Sequence, residues 1–590
     1  MLQKYKILIN DRNYSSFSFV DYDTNEIIPN EEINTNPIEN KLFNKDIFTY
    51  NTNNITITKS DIRNGISIPG VLLLENNKTF GRTKNKKRLL YKCIPDDKHL
   101  PIFLIPYEIE IQFSKVYKNK YVLFKFENWD NKHPNGILVN TIGNVDNLDV
   151  FYEYQLYCKN INISLANFTK KTREQIQIKK QEEEYIHQIL HNKHFNIHDR
   201  RSIQNIFTID PNGSTDFDDA ISIEYLKKTN QYKISVYISN VYVWLETLDL
   251  WKYMTASVST IYLPNRRKPM LPAILSDNLC SLKEGDTRFA FCMDMIFEGG
   301  SFELKSIEYN NVAIIVKKNY KYDEEALIRT HDYSLLLSIT KKLDKSIVDS
   351  HDVVAYWMIK MNTECGNYMA NQKMGIFRLT NYINAFTPLN ILNGTPEGVP
   401  LDVSISHLEN NTQRIIKSWS NSIGKYVVYD DGYLLEHEIM KTVNYIHITS
   451  PIRRLIDILN QIWISKSLGI IRNISENCEN FVNEWKYKLD YINSSMRSIR
   501  KIQTDSQLMC MCFNNEMIMN TFHNGVLFDK VTKENGYIEY MVYLEGLKML
   551  GRIKTTKHYD NYTNHMFKIF LFKDEYNVKK KIRLQFAYVE

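Results

Sequence analysis

The sequence predicts a multidomain α+β protein, in which a large central domain of mixed α and β structure is flanked by small β-barrels. Three observations predict it. Residues 66–165 run as short apolar alternations (PIFLIPY, YEIEIQF, KYVLFKF) split by the turn signals PDDK and HPNG, the period-2 signature of a small antiparallel barrel or sandwich. From about 200 to 510 apolar strands alternate with long helical patterns, as in a large mixed domain. After 520 the chain returns to strands (NGVLFDKV, GYIEYMVYL, MFKIFLF, KIRLQFAYV). A chain of 590 residues has room for about four domains.

Taken in order, residues 1–65 are rich in Asn, Ile, Thr and acids and read as a reduced β segment or a partly disordered lead-in. A barrel is expected over 66–167, then a charged helical connector over 168–199 (KKTREQIQIKKQEEEYIHQIL). The mixed domain follows over 200–515, and a second small β domain over 516–590. With 43% hydrophobic and 24% charged residues, the composition suits packed cores and excludes a wholly disordered chain. No run reaches the ~18 consecutive apolar residues of a membrane span, so no membrane partner is expected. The start, MLQKYKILINDRNYSSFSFV, lacks an apolar block ending in a cleavage site, so secretion is not expected. Eight scattered cysteines, of which only Cys510 and Cys512 are close, suit neither a disulfide framework nor a zinc site. A reducing, cytoplasmic location is therefore expected. The charge of +6, from 74 basic and 68 acidic residues, permits an anionic partner without requiring one.

The most informative stretch is FTIDPNGSTDFDDAISI, with Asp210, Asp216, Asp218 and Asp219. Clustered carboxylates repel one another unless a cation sits between them. An oxygen-only ligand set favours a hard ion, Mg²⁺ with Mn²⁺ as the alternative. Asp216 and Asp218 share one face of an extended strand whereas Asp219 points away, so convergence needs a loop or a kink. An EF-hand fails, because its glycine and glutamate places hold Thr215 and Ile221. A DxDxT phosphatase pattern is weakened by Ala220, and an exposed acidic turn is the bland alternative.

In YIHITSPIRRLIDILNQIW, Ser450 suits an N-cap and Pro451 the first helical position. Arg453 then sits in the first turn, where the helix dipole disfavours a cation. Either it joins the backbone N–H groups in holding a phosphate, or it pairs with Asp457 one turn on. In STIYLPNRRKPMLPAILSDNLCSL, Pro264, Pro269 and Pro272 stiffen a loop that carries Tyr262 and the basic run Arg266, Arg267 and Lys268. Such a loop can stack a base and hold its phosphate, or it is a solvated basic face.

Together the three stretches resemble the RNase II/RNase R exoribonucleases, whose catalytic unit is the RNB domain. The first is similar to that family's IDP…D-x-DDA hallmark, the proline-rich stretch to YLP…PMLP…LS..LCSL, continued by Asp286 and Arg288, and the remaining one to TSPIRR. The helix from Trp357 to Met369 followed by GIFRL looks like the family's helix and arginine-bearing strand. CIPDDKHLPIF…FENWDNKHPNGILVNTIGNV is similar to the second cold-shock-like barrel of the eukaryotic exosome nuclease, and 520–590 to a C-terminal OB-fold RNA-binding domain. Residues 1–65 then match a degenerate first cold-shock-like barrel.

The resemblance implies a processive, Mg²⁺-dependent, hydrolytic 3′→5′ exoribonuclease that degrades single-stranded RNA to nucleoside 5′-monophosphates, with a larger RNA-degradation or RNA-processing assembly left open. It implies Asp210, Asp216, Asp218 and Asp219 as metal ligands, and Asp218, Asp219 and Arg453 as catalytic. Tyr262, Arg266, Arg267, Arg378 and Arg454 are implied as RNA contacts. The chain also departs from the family. VYISNV stands where V-H-I-A-D-V-S is usual, so Tyr237 replaces a histidine and Asn240 an aspartate. Gln461 replaces a frequent histidine, and Arg500 and Lys501 occupy the region of a further acid used by some bacterial members. These departures make a catalytically impaired RNA-binding or scaffold protein the alternative expectation.

Overall fold

Alternating burial builds the first β unit. In the computed structural model, Lys4–Ile9 turns Ile7 and Ile9 inward. The strand pairs antiparallel with Phe17–Asp21 and Ile47–Asn51. Ile27–Ile28 and Asn54–Lys59 complete a five-stranded sheet. The structure describes residues 3–587 apart from 30–31, 34, 52–53, 84–86, 110–116, 179–181, 204, 380–403, 423, 431–435, 438–441, 534–535 and 575–577. Over its described residues the lead-in forms this sheet: Phe19, Phe43 and Phe48 are fully buried and supply a core that the Asn- and Thr-rich composition conceals. That core is shared with the next unit, where Phe43 stacks on Phe103 with centroids 6.0 Å apart.

The next unit is a closed five-stranded barrel. Ile68–Leu72 pairs on one side with Leu89–Pro95 and on the other with Lys120–Asn128, and Phe103–Tyr107 and Asn135–Asn144 complete the circuit. Gly136 is needed where strands crowd, since a Cβ there would lie 2.6 Å from Ile105 Cδ1 and 2.8 Å from the Lys125 carbonyl oxygen.

Helical structure then begins earlier than the charged stretch suggested. Leu148–Cys158, capped by the Asn147 side chain, buries Phe151, Tyr152, Tyr154 and Leu156. Ala166–Ile178 and Glu182–His191 follow. The central domain is a seven-stranded sheet in the order Ile197–Asp199, Leu304–Ile315, Thr287–Glu298, Gln231–Ser239, Asp219–Leu226, Phe207–Asp210, Lys318–Lys321. Its inner strands are antiparallel, and the short strand at each edge joins in parallel. Ile234, Val236 and Ile238 alternate onto one face, against helices His331–Leu343 and Ser350–Asn371. The helices Val241–Thr247, Leu455–Ser467 and Glu476–Lys486 and the 26-residue helix Leu489–Asn514 contribute to a second, larger core.

The C-terminal strands Phe522–Thr532, Ile538–Leu544, Met549–Thr555, Asn564–Lys573 and Lys580–Phe586 form a five-stranded antiparallel sheet. Its two outermost strands meet at Gly551, where a Cβ would lie 2.4 Å from Leu584 Cδ1, so the sheet is rolled. Among the described residues no helix is long and apolar enough to cross a membrane.

Candidate active site

The strand Phe207–Asp210 ends in a Pro211-Asn212-Gly213 turn, in which Gly213 takes φ +85°. The returning chain is pinned to the end of the proline-rich stretch. Phe217 N–H donates to Ser281 Oγ at 3.0 Å, and Ser281 Oγ–H to the Thr215 carbonyl at 2.9 Å. Asp219 then opens the strand Asp219–Leu226, paired with Phe207–Asp210 through Phe207 and Ile221. The bend that convergence demands is thus built by the turn and by Ser281.

Asp218 is 2% exposed. Its Oδ1 accepts the Ile452 N–H at 2.9 Å, and its Oδ2 lies 3.2 Å from Arg453 Nε, a charge contact without hydrogen-bond geometry. The loop supplying both groups differs from the sequence expectation. The helix starts at Leu455 rather than Pro451, with Arg454 at its N-cap, so Ser450 is not the cap and Arg453 precedes the helix. Leu455 N–H and the Arg453 carbonyl, which a helix begun at Pro451 would bond within itself, pair instead with the Val258 carbonyl and the Thr260 N–H, while Asp457 accepts the Ser450 N–H at 2.7 Å and holds the Arg454 guanidinium at 2.9 and 2.7 Å. Asp457 therefore pairs with Arg454, three residues away, and Arg453 is left to face Asp218.

The proline-rich loop is laid beside this segment by backbone pairing. Thr260 N–H donates to the Arg453 carbonyl and Leu455 N–H to the Val258 carbonyl, each at 3.0 Å. Ile261–Tyr262 and Arg267–Lys268 then form a hairpin. Tyr262 is 37% exposed, its hydroxyl is 3.5 Å from Asp216 Oδ2, and its N–H donates to Gln503 Oε1 at 3.0 Å. Arg267 Nη1 lies 2.6 Å from Asp216 Oδ1, and its other arm reaches Asp277.

Asp210, Asp216, Asp218, Asp219, Arg453, Tyr262 and Arg267 thus share one site, Arg454 borders it through its charge on Asp219, and Arg266 and Arg378 turn elsewhere. Arg266 turns to Glu153 at 2.9 Å, and Arg454 is held by Asp457. Arg378 is 2% exposed with its guanidinium 4.4 Å from the centre of the Tyr426 ring, so as placed it is a core residue rather than a surface RNA contact. Gln503 and the Ile452 N–H carried no sequence signal, because each matters only through segments remote in the chain.

Burial pushes the Asp218 carboxyl up to about 8, against the opposing pull of Arg453. Asp210 and Asp219 rise to about 7, through burial first and through neighbouring carboxylates. Arg453 is drawn down by burial, but Asp218, Tyr262 and Asp219 outweigh this and raise it. Asp210 Oδ2 is also buried without a hydrogen-bond partner. Raised, partly unpartnered carboxylates fit a hard cation in donor chemistry. The expected four-aspartate ligand set is nonetheless not assembled: among the described residues no three His, Cys, Asp or Glu side chains are grouped to hold a metal, and Asp216 faces Arg267.

The two departures occupy structural positions. Tyr237 is fully buried with its hydroxyl 3.0 Å from Ser222 Oγ. Asn240 Oδ1 accepts the Val243 N–H at the start of helix Val241–Thr247, and its Nδ2 donates to Asn311 Oδ1 at 3.0 Å.

The RNB domain family matches residues 198–344, the stretch holding the aspartates and the proline-rich loop. The chain carries a match to the RNB domain and is similar to the RNase II/RNase R exoribonucleases. The Dis3-like cold-shock domain 2 family matches residues 90–154 of this RNB-domain protein. Ribonuclease R of Chlamydia pneumoniae is 26% identical over 333 residues, 45% of this chain and 47% of that protein. Ribonuclease R of Aquifex aeolicus is 36% identical over 130 residues, 22% of this chain and 18% of that protein. The matches therefore span less than half the length of these relatives. The structure of Mycoplasma genitalium RNase R in complex with ribose-methylated single-stranded RNA superposes with a TM-score of 0.64 at 16% identity, covering 99% of this chain and 100% of that one. Yeast Ssd1, a pseudonuclease, gives 0.53 at 13% identity, over 94% of this chain and 78% of that one. Both show the fold.

Proposed function

We propose that this RNB-domain protein is a processive 3′→5′ exoribonuclease that hydrolyses single-stranded RNA to nucleoside 5′-monophosphates in the cytoplasm. The observation that carries this reading is the meeting of Asp218, buried among further carboxylates, with Arg453 and Tyr262. To hold Mg²⁺, with Mn²⁺ as the alternative, Asp210, Asp218 and Asp219 would have to draw together and Asp216 to leave Arg267; the ion when bound supplies charge neutralisation at the scissile phosphate and an activated water. Arg453, 46% exposed and 3.2 Å from Asp218, offers its remaining N–H groups to a phosphate oxygen and stabilises charge developing there. The half-open Tyr262 ring can stack on a terminal base whatever its identity, which gives the sequence tolerance a degradative enzyme needs. All eight cysteines are free thiols, which suits a reducing compartment.

Degradation of 3′- and 5′-labelled single-stranded RNA with Mg²⁺ tests the reading. The wild-type chain is expected to release monophosphates from the 3′ end, and Asp218→Asn to be slower by at least about a hundredfold. Equal rates for the two proteins would refute it. A non-catalytic RNA-binding or scaffold role is the second reading, favoured by the ion pair that engages Asp216 with Arg267. It requires salt-dependent RNA binding without turnover.

A further inference from the structure

OB-fold barrels generally bind oligonucleotides on the face of their second and third strands. In the C-terminal barrel those strands are Ile538–Leu544 and Met549–Thr555, and a helix lies over that region. From Asn410–Ser422, Ile416 and Trp419 pack against Val526, Phe528, Met541 and Tyr543. Asn411 donates to the Tyr543 hydroxyl at 2.9 Å, Trp419 Nε1–H donates to Asp529 at 2.9 Å, and Arg552 sits 5.9 Å from the centre of the Trp419 ring.

A different face is open. Along Asn564–Lys573, Phe567 and Ile569 point into the barrel, while Met566, Lys568, Phe570 and Phe572 alternate outward. Met566 is 39%, Phe570 37% and Phe572 41% exposed, unusual for large apolar side chains that share one strand face. The neighbouring strand Lys580–Phe586 sets Arg583 opposite Phe570 and Lys581 opposite Phe572. Cations sit over the rings, Lys568 at 5.4 Å from the centre of Phe570 and Arg583 at 4.6 Å from that of Phe572. Among the described residues Lys568, Lys581 and Arg583 form no ion pair within 4 Å, although the Asp505 carboxylate feels and tempers the Lys581 charge. Burial and the nearby Lys579, Lys501, Arg583 and Lys554 lower the Lys581 pKa, a mark of crowded positive charge. Phe570 and Phe572 stand two residues apart, about 7 Å along a strand, roughly twice the base-to-base rise of a stacked strand. Bases would therefore meet the rings singly, from a splayed chain. At the Met566 end the face reaches a cavity of about 520 Å³ walled in part by Tyr559, His565 and Phe586.

We propose that this outer face is a second nucleic-acid site, a platform on which bases of single-stranded RNA stack against Phe570 and Phe572 while Lys568, Lys581 and Arg583 take its phosphates. The choice of RNA over a protein partner rests on Lys568 and Arg583, which lie over the rings and form no ion pair among the described residues, and on the RNA-degrading function proposed above. On this reading the barrel holds RNA away from the face that OB-folds commonly use.

The test is equilibrium binding of a fluorescent single-stranded RNA to the full chain carrying Asp218→Asn, so that turnover does not intrude. Phe570→Ala with Phe572→Ala is expected to weaken binding at least about tenfold. Phe570→Trp with Phe572→Trp, which keeps the stacking surfaces, is expected to retain it. Replacing Lys568, Lys581 and Arg583 by Gln should lower the slope of log affinity against log salt by about 2. Unchanged affinity in the alanine pair overturns the proposal, as does equal loss in the alanine and tryptophan pairs. It is overturned equally if the alanine pair abolishes a self-association of the chain and leaves RNA affinity intact. Alanine-insensitive binding in an otherwise active nuclease removes this platform alone, whereas alanine-sensitive binding in a wild-type chain that hydrolyses no RNA removes the nuclease reading alone.

Discussion

Asp218 does two jobs with its two oxygens. Oδ1 ties the start of the central strand to the Ile452 N–H, and Oδ2 faces Arg453, so the carboxylate is at once a site group and the joint between two segments. Asn240, by contrast, stands at a family aspartate position without being a site group. Its amide bridges the Val243 N–H and Asn311 Oδ1, and Asn311 Nδ2 is in turn held by the Phe195 carbonyl at 3.0 Å. Asn240→Asp would keep the helix cap but set a buried carboxylate oxygen against Asn311 Oδ1, with no donor left between them. The expected outcome is a loss of about 1–3 kcal/mol in stability, measured by denaturant unfolding, with no gain in RNA hydrolysis. A faster Asn240→Asp enzyme would mean that the departure weakens the site after all. The aspartates and Arg453 were legible in the sequence because their types and spacing carry the chemistry directly. The partners Arg267 for Asp216 and Gln503 for Tyr262 were not, since each joins segments that only the fold brings together.

At the scale of elements, periodicity was legible wherever one face is buried. The runs PIFLIPY and KYVLFKF of the closed barrel and those of the C-terminal sheet became strands, as period-2 burial requires, whereas YEIEIQF lies largely outside the described residues. Two elements defeated this reasoning. Leu148–Cys158 is dense in aromatic residues that also suit strands, and its helical form is settled by the Asn147 cap and by packing into the main core. Ser450-Pro451 carries the local signature of a helix start, yet Leu455 N–H and the Arg453 carbonyl pair with Val258 and Thr260 of the proline-rich stretch and delay the helix to Leu455. Asp457, fully buried, anchors Ser450 and Arg454, the residues that flank the turn carrying Arg453. Asp457→Asn keeps an acceptor for Ser450 but leaves the Arg454 guanidinium, 23% exposed, without its carboxylate. A loss of about 2–4 kcal/mol is expected. Through a displaced Arg453, kcat should fall by about a hundredfold with little change in KM. Parallel changes in melting temperature and kcat, set against an unmoved KM, distinguish this positioning role from loss of RNA binding.

Across the whole molecule the units interlock rather than hang in series. The large core takes in Tyr121 of the closed barrel, the connector helix Leu148–Cys158, the central helices and Val578 of the C-terminal domain. Tyr152 O–H donates to the Ser506 carbonyl, tying the connector to the long helix at 3.2 Å. At the junction of the two β domains Lys580, 5% exposed, donates to the Val145 carbonyl, with its ammonium 5.9 Å from the centre of the Tyr121 ring and 5.3 Å from that of Phe151. Its pKa, ordinarily 10.5, is pulled down to about 8, chiefly by burial. Below about pH 8 the folded protein must hold this ammonium in an apolar junction. Between about 8 and 10.5 the unfolded chain binds a proton that the folded chain has released, so this lysine's contribution to stability rises with pH over that window. Lys580→Met removes the buried charge and forfeits one hydrogen bond worth about 1 kcal/mol. The variant should therefore be more stable than wild type near pH 7, on the order of 1–2 kcal/mol, with the advantage shrinking as pH approaches about 10. Thermal melting of the two proteins across that range reads the difference. A Lys580→Met protein less stable at neutral pH would show instead that the carbonyl and the two rings hold the ammonium well enough to make this charge a clasp between the domains.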